Sequence, residues 1–170
     1  MTYITVVEYD PQWVRDFEMI RDFVTPSLSD IVLAVEHIGS TSVPGLPAKP
    51  IVDIDVVVAT RNDVQIAIEK LATLGYVHEG DLGIKGREAF IPPDKMPWHH
   101  LYVCTIDNAE FRRHIKFRDY LRNHPQVAKD YGELKLKLVK EFHNDHKAYT
   151  NGKTDFVEEI LKQAGEKNKI

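Results

Sequence analysis

The sequence is poor in cysteine, in long apolar runs and in excess charge of either sign. Cys104 is the single cysteine among 170 residues, which excludes an internal disulfide and a cysteine-rich zinc centre. No stretch approaches the about 18 consecutive apolar residues of a membrane span. Met1 to Asp10 carry neither the basic start nor the apolar stretch of a secretory leader. The expectation is a soluble, cytoplasmic protein with no membrane partner. Lys and Arg number 22 against 26 Asp and Glu, a formal net charge of −4. Such a balance disfavours a protein that coats nucleic acid through bulk charge. There is no internal repeat and no low-complexity segment. What remains is an ordinary globular composition, 43% hydrophobic and 28% charged, on a length that suits one domain.

Hydrophobic periodicity divides the chain in two. Asp10-Pro11 reads as a helix start, with Asp as cap and Pro at the first helical position. Trp13, Phe17, Ile20 and Val24 follow at helical spacing. Val32–Ile38 and Ile51–Val58 read as buried strands, and Asp63–Leu74 as a helix stopped by Gly75. Tyr76–Glu79, Lys85–Ile91 and His99–Ile106 are predicted strands separated by glycines and the Pro92-Pro93 pair. Beyond Asn108 the helical period takes over. Phe111, Ile115 and Tyr120 mark one helix. Val127, Tyr131, Leu134, Leu138 and Phe142 mark a second, and Phe156, Ile160 and Leu161 a third. Strands first and helices afterwards predict an α+β fold. Its α/β core spans 1–106, a helical region packed on that core spans 107–164, and the charged tail 165–170 frays.

The chemistry concentrates between His37 and Asp55. Asp53 and Asp55 alternate on a strand, so both face the same way, about 6.5–7 Å apart. Two acids on one face of an apolar strand either are hydrated at an exposed edge or hold a cation. Mg²⁺ favours this arrangement, because it takes a few carboxylates and completes its shell with substrate phosphates. Gly39-Ser40 follows a strand and opens a loop with hydroxyls at Ser40, Thr41 and Ser42. Gly lets backbone approach a ligand, and small hydroxyls with backbone N–H groups suit phosphate oxygens. A strand, Gly-Ser, twelve residues and a second strand carrying Asp-x-Asp together resemble the signature of polymerase-beta-type nucleotidyltransferases. In those enzymes the Gly-Ser loop holds a triphosphate and paired acids hold Mg²⁺.

The longer run from Glu36-His37-Ile-Gly-Ser-Thr-Ser-Val-Pro-Gly to Ile-Val-Asp-Ile-Asp55 is similar to the hallmark of the GrpB-like family, a branch of that superfamily. Trp98-His99-His100-Leu-Tyr-Val103, Phe117-Arg-Asp-Tyr-Leu-Arg122, His124-Pro125, Tyr131, Leu134-Lys135, Tyr149 and Lys153 resemble its later segments. The resemblance covers about residues 5–163. It implies a nucleotidyltransferase-like mixed sheet with flanking helices and a C-terminal helical bundle. In some proteins this domain is fused to dephospho-CoA kinase. The pattern departs at the third acid that active members of the superfamily place on a later strand. The corresponding strand, His99–Ile106, offers His100 and Tyr102 but no carboxylate, and Glu88 is a substitute from the strand beside it.

The expected activity is a metal-dependent nucleotidyl transfer from a nucleoside triphosphate to a hydroxyl of a small molecule or protein. Asp53, Asp55 and His100 are the catalytic and metal-binding candidates, with Mg²⁺ expected and Mn²⁺ or Zn²⁺ as alternatives. His100 serves as third ligand or as general base. Gly39, Ser40, Thr41, Lys49 and Lys135 are the phosphate-binding candidates. Lys85, Arg87, Arg118 and Lys153 are further cations, and Tyr131 either stacks on a base or packs in the core. Two rival readings use the same residues: a nucleotide- or CoA-binding module without turnover, and a phosphohydrolase using Asp53, Asp55 and His100. His143 and His146, one turn apart on a helix, could share a metal. Cys104 reads as a buried thiol, and Asp119 as the partner of a neighbouring Arg.

Overall fold

A computed structural model describes residues 3–166 of the chain. Helix α1 runs Gln12–Leu28 and buries Trp13, Ile20, Val24 and Leu28. Asp10 Oδ1 accepts the Gln12 N–H at 2.8 Å. Pro11 takes the cap position itself, and Pro26 lies within the helix, so α1 outruns the apolar repeat that announces it. Strand β1 (Val32–Ile38) and strand β2 (Val52–Val58) follow, with a 3₁₀ turn at Ser40–Ser42 between them. Helix α2 covers Arg61–Thr73. It begins two residues before the expected Asp63, because Thr60 and Asp63 form a reciprocal capping box. Gly75, at φ +92°, ends the segment where expected. Strands β3 (Val77–Gly80), β4 (Arg87–Ile91) and β5 (His99–Thr105) complete the sheet.

The strand order is β1-β2-β5-β4-β3. Strands β2 and β5 pair in parallel, and the other pairs are antiparallel. The fold is therefore α+β around a mixed sheet. Because side chains alternate, Ile54, Val56, Val58, Leu101, Val103 and Phe90 share one face and pack with α1 and α2 into the main core. Asp53, Asp55, His100 and Tyr102 occupy the other face, side by side in the β2–β5 register.

The C-terminal helices are α3 (Ala109–Asn123), α4 (Pro125–Glu141), α5 (His146–Gly152) and α6 (Thr154–Glu166), and α3 lies against that second face through His114 on Asp55 and Arg118 on Glu36. Helix α5 has no periodic apolar signature, since Tyr149 is its buried residue, and the sequence pattern passes over it. Val43 and Leu46, from the loop after Gly39-Ser40, are buried with Tyr120, Leu121, Ala128, Tyr131 and Ile160 of the helices. Gly132 allows α4 to approach this loop, because a Cβ there would lie 2.9 Å from Pro47 Cδ. Arg118 of α3 donates to Glu36 at 2.6 Å and to the His37 carbonyl at 3.1 Å. Arg122 donates to the Ser42 carbonyl at 2.9 Å. The helices thus hold the loop from both ends. Residue 106 lies between β5 and α3. Of the tail expected to fray, residues 165 and 166 belong to α6, and 167–170 lie outside the described residues. Among the described residues no helix is long and apolar enough to cross a membrane.

Candidate active site

Gly39 is the pivot. Its φ is +70°, and a Cβ there would stand 2.5 Å from Asp53 Oδ2, so only glycine lets the loop cross the carboxylate. The turn behind it is tied down by Ser42 Oγ donating to the Gly39 carbonyl at 2.6 Å. His37 Nε2 and Thr41 Oγ1 are hydrogen-bonded at 2.9 Å, and Phe17 stacks on the His37 ring. Burial pushes the His37 pKa down to about 4, so this ring is neutral scaffolding.

Asp53 and Asp55 have different environments. Asp53 is partly exposed, and its Oδ1 accepts the Nδ1–H of His100 at 2.7 Å. That bond raises the His100 pKa against the opposing effect of burial and leaves Nε2 to meet a ligand. Asp55 is fully buried. Its Oδ2 accepts the Nδ1–H of His114 at 2.7 Å, while Oδ1 is buried with no partner. Burial works against charge on His114, but the hydrogen bond and charge of Asp55 outweigh it and raise the pKa. His114 has no place in the sequence reading. Its signal is present, however: Glu110, His114 and Arg118 recur every four residues on α3, a polar stripe turned to the acids of the sheet. A search for apolar periodicity misses such a stripe.

Beside Asp53 and His100 lies a pocket of about 140 Å³ lined by Ser40, Thr41, Lys49, Lys135, Tyr149 and Lys153. Lys49 and Lys153 hold their ammonium groups 5.0 and 4.3 Å from the Tyr149 ring centre. Lys135 is 2% exposed and donates to the Pro47 carbonyl. Burial lowers the pKa of all three. Lys135 falls to about 7, with Lys153 adding repulsion, and Lys153 falls to about 8, with Lys49 adding repulsion. Three cations gathered at one partly desolvated place are costly unless an anion joins them.

The pocket therefore unites Ser40, Thr41, Lys49, Lys135, Asp53 and His100 at its walls with Gly39 beneath Asp53, and adds Lys153, which the sequence suggests only as one cation among several. Other candidates fall elsewhere. Glu88 pairs with His78 at 2.7 Å and shares Val103's face of the sheet, so it is no third acid. Tyr131 is core, packed between Phe117 and Phe156 at 5.3 and 5.4 Å, with its hydroxyl bonded to Ser40. Arg118 holds the loop, and its Nε donates to Asp119 at 2.8 Å. His99 is buried between Tyr76 and the Pro97 carbonyl. His143 follows α4 and stacks on Tyr3, whereas His146 opens α5, so the two do not share a helix. Cys104 is buried. Among the described residues no three His, Cys, Asp or Glu side chains converge on a metal position. A larger groove of about 850 Å³ lies beside Pro44, Pro47, Pro125 and Gly132, away from Asp53 and His100.

The profile of the GrpB protein family matches residues 3–163. The chain is 34% identical to the glutamate-rich protein GrpB of Alkalihalophilus pseudofirmus, over 94% of this chain and 95% of that protein. This protein belongs to the GrpB family. The crystal structure of GrpB from Enterococcus faecalis, 37% identical, superposes with a TM-score of 0.85 over 96% of this chain and 99% of that one. YqkA of Bacillus subtilis is 32% identical over 91% of this chain, which spans 45% of YqkA's length. A dephospho-CoA kinase of Mycolicibacterium paratuberculosis is 23% identical, and this GrpB domain spans 46% of it. Beyond the family, the Cid1 poly(U) polymerase in its MgGTP-bound form superposes at a TM-score of 0.57 with 15% identity, over 80% of this chain and 44% of that one. The structure of the GLD-2/RNP-8 complex gives 0.54. At such identities the likeness establishes the fold, which is nucleotidyltransferase-type.

Proposed function

We propose that this GrpB protein binds the phosphate chain of a nucleoside triphosphate in the lysine pocket and transfers its nucleotidyl group to an acceptor hydroxyl. The observation that carries the reading is the convergence of Lys49, Lys135 and Lys153 on Ser40 and Thr41, immediately beside the Asp53–His100 pair. The β- and γ-phosphates would take the lysines and the Ser40 hydroxyl, which replaces mutual repulsion by charge-assisted hydrogen bonds. The α-phosphate would then lie next to Asp53. His100 would accept the acceptor's proton at Nε2, its Nδ1–H anchored on Asp53. The acceptor oxygen forms the new bond to the α-phosphorus, the bond to the bridging oxygen breaks, and diphosphate leaves into the lysine pocket.

Mg²⁺ fits this site only as an ion that arrives with phosphates. Asp53 Oδ2 and Asp55 Oδ1 are the carboxylate oxygens not engaged by histidine, and the buried, partnerless Asp55 Oδ1 is an atom a cation would satisfy. Bound there, the ion would withdraw charge from the α-phosphate and from the leaving diphosphate. A preformed Zn²⁺ site with His100 fits poorly, since among the described residues no three His, Cys, Asp or Glu side chains converge on a metal position.

A second reading, the nucleotide- or CoA-phosphate-binding module, draws on the closure of Asp55 by His114 and on the lack, among the described residues, of a third carboxylate beside it. The two separate by experiment. Thermal stabilisation by each NTP and by CoA is measured with and without Mg²⁺ or Mn²⁺, together with diphosphate release. Transfer requires metal-dependent stabilisation by an NTP, lost in Asp53→Asn/Asp55→Asn, and diphosphate release once an acceptor is supplied. Stabilisation that survives the substitutions without release supports the module, and no shift with any NTP or with CoA overturns both.

A further inference from the structure

The face of the sheet that carries the acids continues past them. Its β1–β2 half is covered by α3, through Arg118 on Glu36 and His114 on Asp55. The β5–β4 half is more open: the His100 side chain is 44% exposed and Ile91 39%. On this half Tyr102 stands beside Asp55 and opposite Ala89, and Arg87, two residues before Ala89, points to the same face. The Arg87 guanidinium carbon sits 4.1 Å from the centre of the Tyr102 ring, and Tyr102 lies 6.2 Å from His100, ring centre to ring centre.

Arg87 is unusual in its partners. Asp53 and Asp55 are already held by His100 and His114. No ion pair engages Arg87 among the described residues, and its buried Nε has no hydrogen-bond partner. A guanidinium laid on an aromatic ring is fixed in orientation, and its planar fork matches a carboxylate or a phosphate. A cation so fixed and unpaired, separated from the proposed base by the Tyr102 ring, has the properties of a recognition group.

We propose that Arg87, supported by Tyr102, forms an acceptor subsite for a small hydroxyl compound bearing an anionic group, either carboxylate or phosphate. The anion docks on Arg87, and the hydroxyl turns toward His100. This deepens and rests on the transferase reading of the site. It assigns the open half of the sheet to the acceptor and the lysine pocket to the phosphate donor, on opposite sides of Asp53 and His100.

The test is calorimetric, on the full chain with its lysine pocket first saturated by inorganic diphosphate. D-glycerate and glycerol 3-phosphate are titrated as the carboxylate and phosphate probes, with glycerol as the uncharged control. At least one anionic probe binds the wild-type protein at millimolar concentration, glycerol does not, and the stronger of the two identifies the anion. Arg87→Gln weakens that binding about tenfold or more, as loss of a charge-assisted pair does, while leaving diphosphate affinity unchanged. Tyr102→Ala weakens it too, because the guanidinium loses its support. Equal binding to Arg87→Gln, or no binding of either anion to the wild type, overturns the subsite. Failure of diphosphate itself to bind overturns the donor reading instead. In that case the same titrations without diphosphate, compared between Arg87→Gln and Lys135→Gln/Lys153→Gln, still decide the role of Arg87.

Discussion

Lys135 and Lys153 are held in the fold at a cost that an anion would offset. Burial, with repulsion from Lys153 on Lys135 and from Lys49 on Lys153, holds their pKa values near 7 and 8, against an ordinary 10.5. Between those limits the unfolded chain binds more protons than the folded one, so stability of the empty protein rises as pH increases from 7 toward 10. A bound polyphosphate favours the charged lysines. Diphosphate binding at pH 8 is therefore accompanied by proton uptake, measurable by calorimetry in buffers of different ionisation enthalpy. Affinity falls as pH rises from 7 to 9. Lys135→Ala or Lys153→Ala lowers it about 10–100-fold, the value of a hydrogen bond to a charged group; Lys153→Ala does so without loss of stability, whereas Lys135→Ala also frees the Pro47 carbonyl. The Asp55–His114 pair behaves in the opposite way. Asp55 has 1% of its side chain exposed, so His114→Ala strands a buried carboxylate and lowers stability by about 3–5 kcal/mol. Denaturant titration measures this, and Asp55→Asn in the same chain recovers part of the loss.

The element that organises the site is the loop from Gly39 to Lys49. Gly39→Ala introduces a Cβ 2.5 Å from Asp53 Oδ2 at φ +70°. It lowers stability by about 1–3 kcal/mol and displaces the Asp53 carboxylate, so diphosphate and metal binding decline together in the same titration. On the far side of the loop, Gly132→Ala pushes Pro47 from 2.9 Å, disturbing the carbonyl that Lys135 holds. Its melting temperature drops, and diphosphate affinity drops with it. Much of this loop is legible in the sequence, because Gly-Ser after a strand and Asp-x-Asp on the next strand are local patterns whose chemistry follows from residue type. Lys135 is legible through resemblance alone, because a lysine on a helix is ordinarily solvated. His114 is not read from the sequence, and Lys153 is read only as one cation among several. Both depend on where the C-terminal helices pack, a property of long-range contacts. Helix α5 escapes for a related reason: its seven residues are held by the burial of Tyr149 rather than by a periodic face.

At the scale of the whole molecule, two packed units share one pocket. The sheet with α1 and α2 supplies Gly39, Ser40, Asp53 and His100, whereas α4, α5 and the residue after α5 supply Lys135, Tyr149 and Lys153. The strand and helix order along the chain is enough to indicate α+β, and the mixed sheet confirms it, with β2 and β5 as the parallel pair that puts Asp53 beside His100. Because Ser40, Lys49 and Asp53 come from one unit and Lys135 and Lys153 from the other, the proposed phosphate site forms only when both are packed. Ligand should therefore protect the C-terminal helices from hydrogen exchange as well as the loop. The most direct test is the binding of inorganic diphosphate, with and without Mg²⁺, to the wild-type protein and to Lys135→Ala/Lys153→Ala. Saturable binding that is lost in the double variant, and strengthened by Mg²⁺ only while Asp53 is intact, is the expected result. Equal binding to both proteins, or none to the wild type, would contradict a phosphate site built from these lysines and the transferase reading that rests on it.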